Sequence, residues 1–176
     1  YGEELGFHGS QYYVKHPLVP LAKTVAMLNL EQIGRTDDKR GPQIRRLGIT
    51  GPEYSDLTAR LKAAAAEDGV EVSGPPQPND FFLRSDNEPF AEAGVPAHTI
   101  CVAFEFPDYH GLADEWQKLD YDNMAKVTSA IADGVLAIAN DPVAPRWLTR
   151  FEAPREASRP ESGSSQPSQS RSRSAP

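Results

Sequence analysis

The sequence has little cysteine, no long apolar run and no excess of basic residues, and each shortage excludes a class of protein. Its 176 residues include a single cysteine, Cys101, so the chain can form no internal disulfide. This thiol lies in an apolar run, and we expect it to be buried. No apolar stretch reaches the roughly 20 residues that cross a bilayer, so we predict no membrane segment in this chain. The 18 basic residues against 25 acidic ones give a net charge of −7, which argues against nucleic acid as a partner.

Motifs of several common hydrolases and zinc proteins are also missing. The sequence contains no Cys-x-x-Cys, His-Glu-x-x-His or Gly-x-Ser-x-Gly. These absences argue against zinc fingers, the common one-zinc proteases and serine hydrolases. Carboxylate oxygens and imidazole nitrogens remain as ligands for a catalytic zinc. Any such ligands must be scattered on separate loops.

Short apolar runs alternate with amphipathic helical segments along most of the chain. Strands are predicted at residues 25–34, 47–50, 70–72 and 97–104, and helices at 52–69, 86–93 and 122–139. Pro52 favours the first turn of the first predicted helix. Ser85 and Glu88 have the spacing of a capping box at the start of the second. Val135 belongs to the apolar face of the last helix, which we expect to point inward. This alternation predicts an α/β fold, in which helices flank a mostly parallel or mixed central sheet as a three-layer sandwich.

The composition changes sharply near the end of the chain. Residues 153–176 contain eight serines, four prolines, four arginines and no aliphatic or aromatic residue except alanine. Such a segment buries too little apolar area to offset its ordering entropy, so we predict a disordered tail. Residues 1–141 are predicted to form one folded unit, and residues 142–152 a connecting segment.

Two adjacent glutamates between glycines are the first candidates for chemistry. Glu3 and Glu4 would point to opposite sides of an extended segment, so that one could bind a metal while the other handles a proton. Glu31 lies near the C-terminal end of one predicted strand and His110 follows another, and ligands of α/β sheets gather beyond the carboxyl ends of strands. Taken singly, each of these residues is also compatible with an ordinary solvated role.

Four sequence blocks strengthen the catalytic interpretation. They are residues 2–13, which contain Gly2-Glu3-Glu4-Leu5-Gly6, and residues 29–34, 84–97 and 108–121. In this order the blocks resemble the co-catalytic zinc aminopeptidases, the group that includes aminopeptidase Y and glutamate carboxypeptidase. The resemblance covers about residues 1–140 and implies a zinc-peptidase fold of the phosphorylase/hydrolase-like kind.

The resemblance implies a role for each matching residue. Glu3 would be the general base, and Tyr109 would donate a hydrogen bond to the oxyanion. Glu4 and His110 would bind one zinc ion, and Glu31, where many relatives carry aspartate, would bind a second. The implied activity is that of a metallopeptidase, an aminopeptidase that hydrolyses N-terminal peptide bonds with water activated by two zinc ions.

The resemblance also implies substrate contacts and a missing part. Arg84 and Asn87 would bind the peptide substrate, with Asn87 standing where many relatives have histidine. The family carries a further histidine and a bridging aspartate upstream of the Gly-Glu-Glu turn. We therefore expect this chain to be the C-terminal half of a catalytic domain, inactive without the N-terminal half of the same domain. The family resemblance favours an extracytoplasmic or secreted protein.

Two alternatives remain open from the sequence. Glutaminyl cyclases resemble this family and use one zinc to close an N-terminal glutamine into a ring. A non-catalytic member of the fold is the other alternative, although the joint presence of Glu3, Glu4, Glu31 and His110 argues against it.

Overall fold

A four-stranded mixed sheet forms the centre of the computed structural model, which describes residues 1–75 and 81–149. The strands are β1 (Met27–Glu31), β2 (Asp37–Asp38), β3 (Gly41–Pro42), β4 (Arg46–Ile49), β5 (Glu71–Ser73) and β6 (Ala97–Cys101). The sheet has the order β1-β6-β4-β5, with β6 parallel to β1 and antiparallel to β4, while β2 and β3 form a separate hairpin. This mixed order confirms the predicted α/β class.

Four helices flank the sheet: α1 (His8–Lys15), α2 (Leu57–Glu67), α3 (Glu88–Glu92) and α4 (Tyr121–Asn140). Short 3₁₀ turns occupy Glu3–Leu5, Leu21–Lys23 and Trp116–Lys118. Apolar residues of α2, α4 and the sheet form one core cluster, and a second cluster lies around Phe82 and Phe90. Leu28 packs on the first cluster and its neighbour Met27 on the second, because successive strand residues face opposite sides of a sheet.

The structure corrects three details of the sequence interpretation. Helix α2 begins at Leu57 rather than Pro52, because Ser55 first forms a β-bridge with Trp147. Helix α3 begins at Glu88 without a side-chain cap, because the Ser85 hydroxyl is bonded elsewhere. Val135, predicted to face inward, is 42% exposed. Cys101 is buried, as predicted.

Strand β1 lies at an edge of the sheet. It pairs with β6 on one side, and no other strand of residues 1–75 and 81–149 pairs with its second side. An apolar cleft of about 290 Å³ lies beside this edge, lined by Val25, Ala26, Leu28, Val135, Ile138 and Ala139. The exposure of Val135 therefore belongs to a larger uncovered apolar surface.

Part of the sequence interpretation lies outside the described residues. The predicted tail at residues 153–176 and the last three residues of the predicted connecting segment belong to that part. The described remainder of that segment lies against the body of the protein, since the backbone of Leu148 donates to the Tyr54 carbonyl at 2.7 Å. No helix in the described ranges has the length and apolar character needed to cross a membrane.

Candidate active site

An open cavity of about 560 Å³ lies at the carboxyl end of β1. Six of the seven site residues predicted from the sequence line it: Glu3, Glu4, Glu31, Arg84, Tyr109 and His110. They come from the first turn of the chain, the end of β1, the segment before α3 and the loop after β6. The fold thus collects the predicted residues at one end of the sheet.

The two glutamates lie on a short 3₁₀ turn rather than on an extended segment. Gly2 and Gly6 flank this turn with φ angles of 70° and 104°, in the left-handed region that glycine adopts without steric cost. Successive residues of a 3₁₀ turn are about 120° apart around its axis, so Glu3 and Glu4 still point in different directions. The glycines around the pair are therefore a structural requirement of the turn.

Glu4 and His110 contact each other across the cavity. The Glu4 Oε1 atom lies 3.3 Å from His110 Nε2, and both side chains are exposed. Two ligands of one tetrahedral zinc ion, each about 2.0–2.2 Å from the metal, stand about 3.3–3.5 Å apart. The spacing and the donor types of this pair therefore fit a shared zinc ion.

The carboxylate of Glu31 is held from one side by two neutral donors. Asn29 Nδ2 donates to Glu31 Oε1 at 2.9 Å, and the Ser85 hydroxyl donates to the same oxygen. Both bonds are made to the same carboxylate oxygen. Asn29 also donates to Ser85 Oγ at 2.8 Å, so the three side chains form one hydrogen-bonded group.

A buried polar network continues inward from Asn29. Its amide donates to the Thr99 hydroxyl at 3.3 Å, and that hydroxyl donates to Asn87 Oδ1 at 2.9 Å. Asn87 in turn donates to the Phe82 carbonyl at 2.7 Å. Asn87 is 0% exposed and does not line the cavity. Its contact with substrate stays a prediction, and in this structure its side chain bonds the buried residues beneath Glu31.

Negative charge accumulates around Glu3. Burial raises the pKa of Glu3 above its ordinary value, and three neighbouring carboxylates raise it further, while the nearby Ser85 hydroxyl opposes the shift. The three carboxylates are those of Glu31, Glu4 and Asp86. Bringing a cation among these groups would relieve their mutual repulsion.

The three predicted ligands share the cavity but do not converge on one point. Among the residues that the structure describes, no three His, Cys, Asp or Glu side chains are arranged to hold a metal ion. Glu4 and His110 make a two-ligand group, while Glu31 is turned towards Asn29 and Ser85. The donor atoms are therefore of the types that zinc binds, but the site has fewer ligands than a zinc ion needs.

Tyr109 and Arg84 complete the wall of the cavity. The Tyr109 ring stacks on the His110 ring with centroids 4.0 Å apart. Burial raises the pKa of the Tyr109 phenol, opposed by a bond from Gln32, so the phenol keeps its proton and can act as a donor. The Arg84 guanidinium lies 5.2 Å from the centroid of the Phe81 ring, and it adds a positive charge to an acidic site.

Three residues of the site went unrecognised in the sequence: Asn29, Gln32 and Ser85. Asn29 precedes Glu31 by two residues on a strand, so both side chains lie on the same face, and this spacing is a usable signal. The spacing of Ser85 to Glu88 instead indicated a helix cap. Gln32 has a φ angle of 50°, a strained conformation that no pattern in the sequence indicates.

Comparison with known proteins gives a family match. A sequence model described as peptidase family M28 matches residues 1–135. A comparison with curated proteins gave no match.

Several solved aminopeptidases share the fold. The zinc aminopeptidase BSAP from Bacillus subtilis is 22% identical, with a TM-score of 0.61 over 75% of this chain and 32% of its own. LapA aminopeptidase from Legionella pneumophila is 20% identical, with a TM-score of 0.61 over 78% of this chain and 37% of its own. An aminopeptidase from Aneurinibacillus sp. strain AM-1 is 26% identical, with a TM-score of 0.59 over 82% and 32%. This chain spans about a third of the length of these enzymes.

Proposed function

This chain belongs to peptidase family M28, and on that basis we propose that the protein containing it is a zinc-dependent aminopeptidase acting on the N-termini of peptides. The observation that carries the proposal is the shared cavity, in which the Glu4–His110 pair lies beside Glu3, Glu31 and Tyr109. The cyclase and non-catalytic alternatives have no better support from the comparisons.

The zinc ligands in this proposal come from two parts of the cavity. Glu4 and His110 would hold one ion, because their donor atoms already have the spacing of ligands on one metal. Glu31 would contribute to a second ion. Bound zinc would supply Lewis-acid polarisation of the peptide carbonyl and acidification of water.

The remaining side chains would handle the proton, the oxyanion and the substrate. Glu3 would accept a proton from the attacking water and deliver it to the leaving amine, a role that contributes roughly 10²–10⁴ in rate. Tyr109 would donate a hydrogen bond to the developing oxyanion, worth roughly 10²–10³ by analogy with other such donors. Arg84 would hold a carbonyl or carboxylate oxygen of the substrate.

We further propose that another segment of the same polypeptide, N-terminal to this chain, completes the domain. The second side of β1 and the adjoining apolar cleft are uncovered among the described residues, and this chain covers only about a third of the solved aminopeptidases. Strands added at this edge would satisfy the free backbone groups of β1. They would also bring the further ligands that the site needs. On this proposal the isolated chain has little activity. We also propose, from the family resemblance alone, that the protein acts outside the cytoplasm.

The test compares Glu3→Gln with Glu67→Gln in the full-length protein. Glu67 lies at the end of α2, is exposed and does not line the cavity. We expect Glu3→Gln to retain zinc and lower kcat for aminoacyl anilides by roughly 10²–10⁴, and Glu67→Gln to change neither. Removal of zinc by a chelator should abolish turnover reversibly.

Three results would contradict the proposal. A folded full-length protein without zinc would remove the metal assignment, and undiminished turnover in Glu3→Gln would remove the base assignment. Conversion of N-terminal glutamine peptides to pyroglutamyl peptides, without release of free amino acids, would favour the cyclase alternative.

A further inference from the structure

Arg35 is a buried cation with three carboxylate partners. Its side chain is 3% exposed. It bonds Asp37 through Nε and Nη2 at 2.8 and 2.6 Å, and Asp114 through Nη1 at 2.6 Å. Its Nη2 atom also reaches Asp108 at 3.1 Å, and the guanidinium lies 4.3 Å from the centroid of the Phe106 ring. Each of the three guanidinium nitrogens therefore donates at least one hydrogen bond to a carboxylate.

The partners of Arg35 lie on both sides of the Tyr109–His110 pair. Asp108 directly precedes this pair, and Asp114 follows His110 by four residues. A second cation, Lys118, also binds Asp108, at 2.6 Å. Arg35 itself comes shortly after β1, the strand that ends at Glu31. One side chain thus connects the Glu31 side of the cavity to both ends of the segment that carries His110.

The backbone of His110 needs such support. Its φ angle is 58°, a left-handed conformation that is unfavourable for a residue with a β-carbon. The adjacent turn is closed by a bond from the Gly111 amide to the Asp108 carbonyl at 2.7 Å. A strained residue persists only where its surroundings fix it, and the contacts of Arg35 fix the ends of this segment.

Lysine could not reproduce these contacts. The planar fork of arginine binds carboxylates on several edges at once, whereas the ammonium of lysine is a compact point charge. Replacing Arg35 by lysine keeps the charge but would leave some oxygens of the three carboxylates without a donor. The contacts made by residue 35 therefore depend on the shape of the guanidinium and not on its charge alone.

We propose that Arg35 is a positioning residue that holds the Tyr109–His110 pair in place for the reaction, a role that rests on the proposed zinc-peptidase function. None of its hydrogen-bond partners is a predicted zinc ligand. It acts through Asp108 and Asp114, whose loop sets where the imidazole and the phenol point. Because a shift of about 1 Å at a catalytic group can cost about 10² in rate, loosening this loop should reduce turnover and metal affinity together.

The test uses Asp114→Asn and Arg35→Lys in the full-length zinc-loaded protein, with Asp141→Asn as a matched control. Asp114 and Asp141 each accept a bond from an arginine, at 2.6 and 2.8 Å, and their side chains are 37% and 38% exposed. Asp141 pairs with Arg60 and does not line the cavity. The measurements are the zinc dissociation constant by competition, the visible spectrum of the cobalt-substituted protein, and kcat separately from KM.

We expect Asp114→Asn to weaken zinc binding about 10-fold, to alter the cobalt spectrum and to lower kcat, and Arg35→Lys to weaken binding by about 10–100-fold. Asp141→Asn should match the parent protein within about twofold. If Arg35→Lys does not fold, Asp114→Asn decides, because it keeps Arg35 and two of its partners. Normal zinc binding and an unchanged spectrum in Asp114→Asn would overturn the role of Arg35 and leave the proposed function intact. A parent protein without zinc would overturn both.

Discussion

Replacing Ser85 by alanine should weaken zinc binding at Glu31 without disturbing the fold. The substitution removes the hydroxyl that donates to Glu31 Oε1 and that accepts a bond from Asn29. Glu31 then keeps only the Asn29 bond at 2.9 Å on this oxygen. A carboxylate with fewer anchors samples more rotamers, and fixing it on a metal costs correspondingly more entropy.

The size of the effect follows from the kind of bond that is lost. A hydrogen bond to a charged group contributes about 1.5–3 kcal/mol, which corresponds to about 10–150-fold in an equilibrium constant. Because Asn29 remains in place, we expect the lower end, about 10-fold weaker binding of zinc in the full-length protein. Competition with a chromophoric chelator measures this change directly.

Ser55→Ala is the matched control for this experiment. Ser55 is also buried, at 1% exposed against 3% for Ser85, but its hydroxyl bonds His98 away from the cavity. Both variants lose a buried hydroxyl, so a general loss of stability should appear in both. If the two variants bind zinc equally well, the hydroxyl of Ser85 does not orient Glu31, and the reasoning is refuted.

Two further predictions concern stability. Burial alone would raise the pKa of Asp38, but bonds from Arg40 and from the backbone amides of Arg40, Phe104 and Glu105 lower it to about 2. Because the folded pKa lies below the ordinary value of 3.8, this carboxylate should stabilise the protein by about 2 kcal/mol above pH 4, and the contribution should vanish as the pH falls towards 2. Urea unfolding across this range should give a flatter pH profile for Asp38→Asn than for the parent; parallel profiles would contradict this assignment. In Gly134→Ala the new β-carbon would lie 2.5 Å from Leu61 Cδ1. We therefore expect the free energy of unfolding to fall by about 1 kcal/mol, visible as a lower thermal midpoint, although alanine has the better helix propensity. An unchanged or higher midpoint would show that α2 and α4 can separate.

The sequence was most informative where residue type and local position agree. Glu31 and His110 could be placed at one edge because Glu31 ends an apolar strand and His110 follows another, and parallel strands bring their carboxyl ends together. Glu3 and Glu4 were likewise predicted to point in different directions, although from an extended segment rather than from the 3₁₀ turn that the structure shows. These signals depend only on neighbours in the chain.

Contacts between distant segments escaped prediction for the same reason. Arg35 meets Asp108 and Asp114 across 73 and 79 residues, and nothing in the charged run around Arg35 identifies those partners. Ser85 had a plausible local role as a helix cap, which the contact with Glu31, 54 residues away, replaced. Asn87 was assigned to substrate through family resemblance, and nothing in the sequence indicated that its side chain would bond buried neighbours through both its nitrogen and its oxygen.

The burial of Cys101 makes this chain convenient for site-directed labelling. Burial raises the pKa of the thiol, and Glu31 adds to the shift, so the sulfur stays protonated and is shielded from maleimides at neutral pH. A cysteine introduced at Leu112, a position that is 103% exposed on the loop after His110, would then be the reactive one in this chain. A fluorophore attached there would report changes in the surroundings of the loop in real time.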